Sequence, residues 1–236
     1  YKKVDSKIIN SLKIAATNIA RYAKYQLPCE WKKQINEGIL VGQIVRPLDS
    51  VGCYIPGGNY PLVSSVLMAV VPAKIAGVKE IIVCCPKITK EILAACDIAG
   101  ADKVFRVGGA QAIAAMAYGT ETIPKVNKII GPGNVYVTAA KKYVYGDAGI
   151  DFLAGPIEIM IIAEKANSEF IAADMLAQAE HDVMASAILV TPNKSLAKKV
   201  KQEIEKQIKR LKTKKIAKKS LENFGAIIAV KDMDEA

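Results

Sequence analysis

The feature that most restricts what this chain can fold into is an alternation that begins near Gly52. Short β-rich runs at 53–55, 81–84, 104–107, 128–130 and 150–153 are separated by stretches of helical length and pattern. Helices are predicted over 62–75, 91–99, 110–118 and 135–145, stopped by Gly77, Gly100, Gly119 and Gly146. A strand that lies parallel to its predecessor needs a crossover connection, and a helix supplies one. The alternation therefore predicts a parallel sheet with helices on both faces. A shorter series follows, with strands predicted at 159–163, 187–190 and 226–230. A long helix over 4–25 and the segment 38–45 precede the first sheet. The expected fold class is α/β with two lobes, one inserted into the other. Residues 1–52 with 157–236 form the discontinuous lobe and 53–156 the inserted one, with crossings marked by Gly52 and by Ala154, Gly155 and Pro156.

An apolar share of 51% over 236 residues is enough for a substantial core. The longest apolar stretches, such as 63–73, are broken by serine and proline and fall short of the ~20 residues that span a bilayer, so no membrane association is expected. Residues 1–10 alternate charged with isolated apolar positions, unlike an export signal. Five cysteines with no CxxC pair fit a reducing cytoplasm, and Cys84 and Cys85, ending an apolar run, are expected to be small buried side chains. Much of the net charge of +10 lies between Lys198 and Lys219, where Val200, Ile204, Ile208 and Leu211 recur at helical spacing. An amphipathic surface helix with a solvated face is expected. The segment has no aromatic residue and a single arginine, Arg210, so no nucleic-acid partner is expected. A basic, non-catalytic nucleic-acid-binding module is the contrasting reading of the same lysines. Asp232 to Glu235 has the D-x-x-E spacing of a helix start, and the first residue is Tyr1; both ends are expected to be cuts through a longer protein.

Three glycine-bearing turns fall between a predicted strand and a predicted helix: Pro56, Gly57 and Gly58; Gly108, Gly109, Ala110 and Gln111; Gly131, Pro132, Gly133 and Asn134. Such turns can present backbone N–H groups to a phosphate at helix N-termini, although none is GxGxxG and a tight turn needs glycine for steric reasons alone. Together on one sheet edge they point to a dinucleotide or phosphate ligand. The only histidine, His181, lies three residues after Gln178 at the end of the apolar helix pattern 169–176. Residues three apart share a helix face, so this pair can converge on a metal ion; a histidine stabilised by the helix dipole is the alternative.

Residues 51–58, 108–114, 130–134, 154–156 and 178–181, in this order and spacing, resemble the histidinol dehydrogenase family, and the likeness runs almost continuously from about 42 to 191. That resemblance implies two Rossmann-like lobes, a homodimer, and a zinc-dependent, NAD-linked oxidation of L-histidinol through an aldehyde to L-histidine. Tyr54, Gln111 and Asn134 match the family's NAD contacts. Gln178 and His181 match two zinc ligands that also border the substrate. No catalytic acid or base falls in this chain: the family's glutamate–histidine pair is expected shortly after Ala236. An aspartate and a second histidine completing the metal site are expected further on, the histidine from the partner subunit. Ile157 stands where the family usually has a hydroxyl that touches substrate, which raises the alternative of a relative oxidising another alcohol, such as sulfopropanediol. Ala139 stands at a commonly acidic position, with no consequence that the sequence explains.

Overall fold

Capping decides where the chain first becomes helical. The Asp5 carboxylate accepts the Lys7 N–H at 2.8 Å and opens α1 (Ser6–Tyr25), which buries Ile9, Leu12 and Ala23. An antiparallel ribbon follows, β1 (Trp31–Asn36) with β2 (Ile39–Gln43), turning at Gly38 with φ +75°. β1 has no counterpart among the strands predicted from sequence. All six of its residues are exposed, so it has no buried face to produce an apolar alternation. The computed structural model describes residues 4–57, 61–153 and 158–236. Tyr1, Gly58, Ala154, Gly155, Pro156 and Ile157, which enter the sequence argument, lie outside the described residues.

Contacts divide the chain into two units, 1–154 and 155–236; the division falls at the second expected crossing and assigns residues 1–52 to the first unit. The five-stranded sheet of that unit is parallel. β3 (Ser50–Tyr54) is central, β4 (Glu80–Cys84) and β5 (Lys103–Phe105) extend it on one side, and β6 (Lys128–Ile130) and β7 (Gly149–Ile150) on the other. The crossovers are α2 (Val63–Ile75), α3 (Lys90–Ala99), α4 (Gly109–Tyr118) and α5 (Val135–Val144). The predicted elements of this series are present with ends shifted by a few residues.

The central strands feed both faces. On β3, Val51 and Cys53 enter the core shared with α1, α2 and α3, whereas Tyr54 joins the core under α4 and α5. On β4, Ile81 and Val83 take the first side and Ile82 and Cys84 the second. Strands covered on both faces must be apolar at successive positions, which is why they read as continuous runs. Each fully buried isoleucine or valine contributes ~1.5–3 kcal/mol.

Cys53, Cys84, Cys85 and Cys96 are free and buried here, and Cys29 is exposed. Burial pushes the Cys84 and Cys96 thiols up to about 12 and raises Cys53 and Cys85 as well. Since the thiolate is the reactive form, a thiol reagent is expected to titrate one fast group in the native protein, Cys29, and the buried four only in denaturant. A fast phase that survives Cys29→Ser would contradict this burial.

The second unit contains a parallel sheet of order β10-β9-β8, built from β8 (Glu158–Ile162), β9 (Ser186–Thr191) and β10 (Gly225–Ala229). The intervening helices are α6 (Ser168–Ala179), α7 (Lys194–Gln207) and α8 (Lys214–Phe224), with a 3-10 turn at Ile208–Arg210. Asn167 caps α6 by accepting the Glu169 N–H at 2.8 Å. Ile171, Ala172 and Met175 then pack on Ala187 and Leu189 of β9 and on Leu196 and Val200 of α7. The single lysine-rich helix expected over 198–219 is in fact two helices. The chain becomes extended at Leu211 (ψ 135°), and the Thr213 carbonyl accepts the Ile216 and Ala217 N–H groups of the next helix. The break lets Ala217 bury against Leu176 and Ala179 of α6, a contact that one straight helix would carry past. The apolar row nevertheless faces inward, and the lysines of both helices are exposed. At 232–235 a turn forms in which Glu235 N–H donates to Asp232 Oδ1 at 3.0 Å. No helix among the described residues is long and apolar enough to cross a membrane.

Candidate functional site

The first sheet reverses its strand order between β3 and β6. From β3 the chain builds outward through β4 to β5, then crosses back to lay β6 on the other side of β3. Ligands of open α/β sheets bind outside the carboxyl ends of the strands at such a reversal. Tyr54 ends β3, Asn134 caps α5 after β6, and Gln111 lies in the first turn of α4 after β5. All three stand at one sheet edge, Tyr54 and Asn134 at the reversal itself.

The loops at this edge interlock. The ring of Pro86, just past β4, lies against Gly57 and Gly108, where an added Cβ would come within 2.6 Å and 2.4 Å of it. Gly131, at φ +116°, sits on the end of β3, where a Cβ would stand 2.1 Å from the Tyr54 carbonyl oxygen. Tyr54 itself is only 4% exposed, and its hydroxyl accepts the Gly109 N–H at 3.1 Å.

These contacts narrow the expectation of a backbone phosphate cradle. The Gly109 N–H is held by Tyr54, and the Gly131 N–H donates to Asp151 Oδ2 at 2.7 Å. Asn134 Oδ1 accepts the Tyr136 and Val137 N–H groups, each at 3.1 Å. Four donors that a phosphate could have used are already satisfied inside the protein. The turns also offer a ligand side-chain chemistry: the exposed Gln111 amide, and the exposed Asn134 Nδ2, a donor because its partner oxygen is committed.

Gln178 and His181 close α6 in the second unit. Gln178 is half-buried in the last turn, Glu180 is the C-cap, and the His181 N–H donates to the Gln178 carbonyl at 3.2 Å, so one turn holds both residues. His181 is exposed. An amide oxygen and an imidazole nitrogen are able zinc ligands, yet catalytic zinc usually has three protein ligands. Among the described residues no group of three or more His, Cys, Asp or Glu could hold a metal ion. The pair fits as part of a metal site and does not make one alone. A cavity of about 820 Å³ at the carboxyl ends of β9 and β10, lined by Asn193, Lys194, Ala229 and Lys231 among others, includes neither residue.

The family model for histidinol dehydrogenase matches residues 1–236. The chain belongs to the histidinol dehydrogenase family. The histidinol dehydrogenase of Methanothermobacter thermautotrophicus is 49% identical over 242 residues, covering 100% of this chain and 57% of the relative. That of Aquifex aeolicus is 53% identical over 234 residues, covering 99% and 55%. The crystal structure of histidinol dehydrogenase from Elizabethkingia anophelis matches with a TM-score of 0.93 at 38% identity, over 98% of this chain and 55% of that one. The chain therefore spans a little over half the length of these histidinol dehydrogenases.

Lys141, Asp151 and Pro86 escape the reading of the sequence. Pro86 carries no signal, since its two glycine neighbours are remote in the chain. Lys141 carries one. It falls on the buried stripe of α5 with Val137 and Val144, a position where an amphipathic helix calls for an apolar residue.

Proposed function

We propose that the full-length protein is a zinc-dependent, NAD-linked histidinol dehydrogenase that oxidises L-histidinol through the aldehyde to L-histidine. The observation that carries this reading is the pair of available amides, Gln111 and Asn134 Nδ2, at the carboxyl edge of the sheet, Asn134 at its strand-order reversal, in a chain of this family. Both amides donate to oxygens of the dinucleotide. Tyr54 borders the cofactor while fixing the turn that carries Gln111, through its hydrogen bond to Gly109. Gln178 and His181 hold the metal and border the substrate. NAD, when bound, accepts the hydride, and zinc, when bound, acts as a Lewis acid on the substrate. Proton transfer belongs to the glutamate–histidine pair expected after residue 236. The same reading makes the protein a cytoplasmic homodimer.

His181→Ala in the full-length protein tests the metal assignment. Bound zinc is expected to be lost and kcat/KM to fall by ~10³ or more, because Lewis-acid catalysis supplies several kcal/mol. A variant that keeps near-normal zinc by elemental analysis refutes the role of His181. Ile157 favours a second reading, in which the site oxidises a different alcohol, because its side chain cannot hydrogen-bond a substrate. Turnover by the full-length protein on a panel of alcohols, histidinol and sulfopropanediol among them, separates the two.

A further inference from the structure

A lysine is buried behind the Gly131–Asn134 turn. Lys141 is 2% exposed; its Nζ donates to the Gly131 carbonyl at 2.8 Å and to Asp151 Oδ1, and stands 5.7 Å from the centre of the Phe152 ring. Asp151, just past β7, accepts the Gly131 N–H at 2.7 Å through Oδ2 and the Phe152 N–H at 2.7 Å through Oδ1. One ion pair thus holds both polar groups of a single peptide residue, the N–H by the carboxylate and the C=O by the ammonium. That residue is Gly131, which is also pressed against the Tyr54 carbonyl.

Burying an ion pair is a poor route to stability, because desolvation offsets much of the attraction and a packed apolar side chain does as well. What such a pair fixes is geometry. Lys141 lies seven residues after Asn134 on the helix that Asn134 caps, so the pair ties the start of the turn, the helix that ends it and the end of β7 into one body.

We propose that Lys141 and Asp151 are positioning residues for the cofactor: they hold the 131–134 turn so that the Asn134 amide meets NAD. This rests on the reading of Asn134 as an NAD contact. It predicts that loss of the pair weakens NAD binding out of proportion to its effects elsewhere in the site. Lys141→Met keeps the aliphatic stem and removes the ammonium; Asp151→Asn keeps an acceptor for the Gly131 N–H and removes the charge.

The test is made in the full-length protein, with NAD titrated calorimetrically, KM measured for both substrates and Asn134→Ala run in parallel. Lys141→Met is expected to weaken NAD binding and raise its KM by ~10-fold or more, since displacing a binding group by an ångström costs up to ~10²-fold. The KM for histidinol and the zinc content are expected to stay within about twofold, as both depend on residues outside this turn. If Asn134→Ala weakens NAD binding while a folded Lys141→Met or Asp151→Asn does not, the positioning role is refuted and the NAD reading stands. If Asn134→Ala leaves NAD binding unchanged, the reading of Asn134 fails and this inference with it. If neither pair variant folds, or if both lower NAD and histidinol affinity alike, the pair is structural and the inference is overturned.

Discussion

Purified alone and supplied with zinc, NAD and histidinol, residues 1–236 are expected to produce no NADH above background. On the proposed assignment Gln178 and His181 would supply two ligands where a catalytic zinc usually has three, so the metal would be weakly held. His181 is the only histidine, and once committed to the metal it leaves no side chain that ordinarily titrates near neutral pH to act as the base. General acid–base help is worth ~10² to 10⁴ in rate. These losses compound, because a substrate without a metal to orient it gains little from a bound cofactor. Weak NAD binding is expected to survive, since Tyr54, Gln111 and Asn134 all lie in the first unit. Following NADH absorbance checks the prediction; turnover comparable with a full-length relative would show that the catalytic groups have been misplaced.

Gly131→Ala in the full-length protein has the next largest expected effect. The new methyl would stand 2.1 Å from the Tyr54 carbonyl oxygen and 3.0 Å from its carbonyl carbon, and both are backbone atoms of the central strand. They cannot swing aside as the end of a long side chain can. A φ of +116° adds backbone strain that only glycine escapes. The turn has to leave its seat, surrendering the links from Gly131 to Asp151 and Lys141. A destabilisation of about 3 kcal/mol or more is expected, seen as a Tm lower by roughly 6 °C or more, with NAD binding lost. An unchanged melting curve together with unchanged NAD affinity would mean that the close approach to Tyr54 is dispensable.

The sheet that positions the site was legible because its strands are covered on both faces and read as short apolar runs, while its helices are longer apolar stretches that end near glycines. β1 left none, being exposed along its whole length. The lysine-rich region displayed its inward row from Val200 to Leu211, but the break after it depends on Ala217 meeting α6, a partner some forty positions back in the chain. Turns and spacing marked where Gln111, Asn134, Gln178 and His181 lie, at the starts of α4 and α5 and the end of α6, while the roles proposed for them rest on the family resemblance. What was not legible is the interior wiring. Whether a turn N–H is free for a phosphate or already spent on Tyr54 or Asp151 depends on residues 55 and 20 positions away, which no local pattern records.

The partition of β3 between two cores also ties the site to strand register. Val51 and Cys53 belong to one side of the sheet and Tyr54 to the other. Because side chains alternate with a period of two, inserting or deleting one residue within this strand would send Tyr54 to the opposite side and its neighbours to the wrong core. The Gly109 N–H would lose its acceptor, and Gly131 would rest against a different carbonyl. Length changes are therefore expected to be tolerated in the connections and not in this strand, and a single-residue indel in 50–54 should be as damaging to NAD binding as any substitution among its proposed contacts.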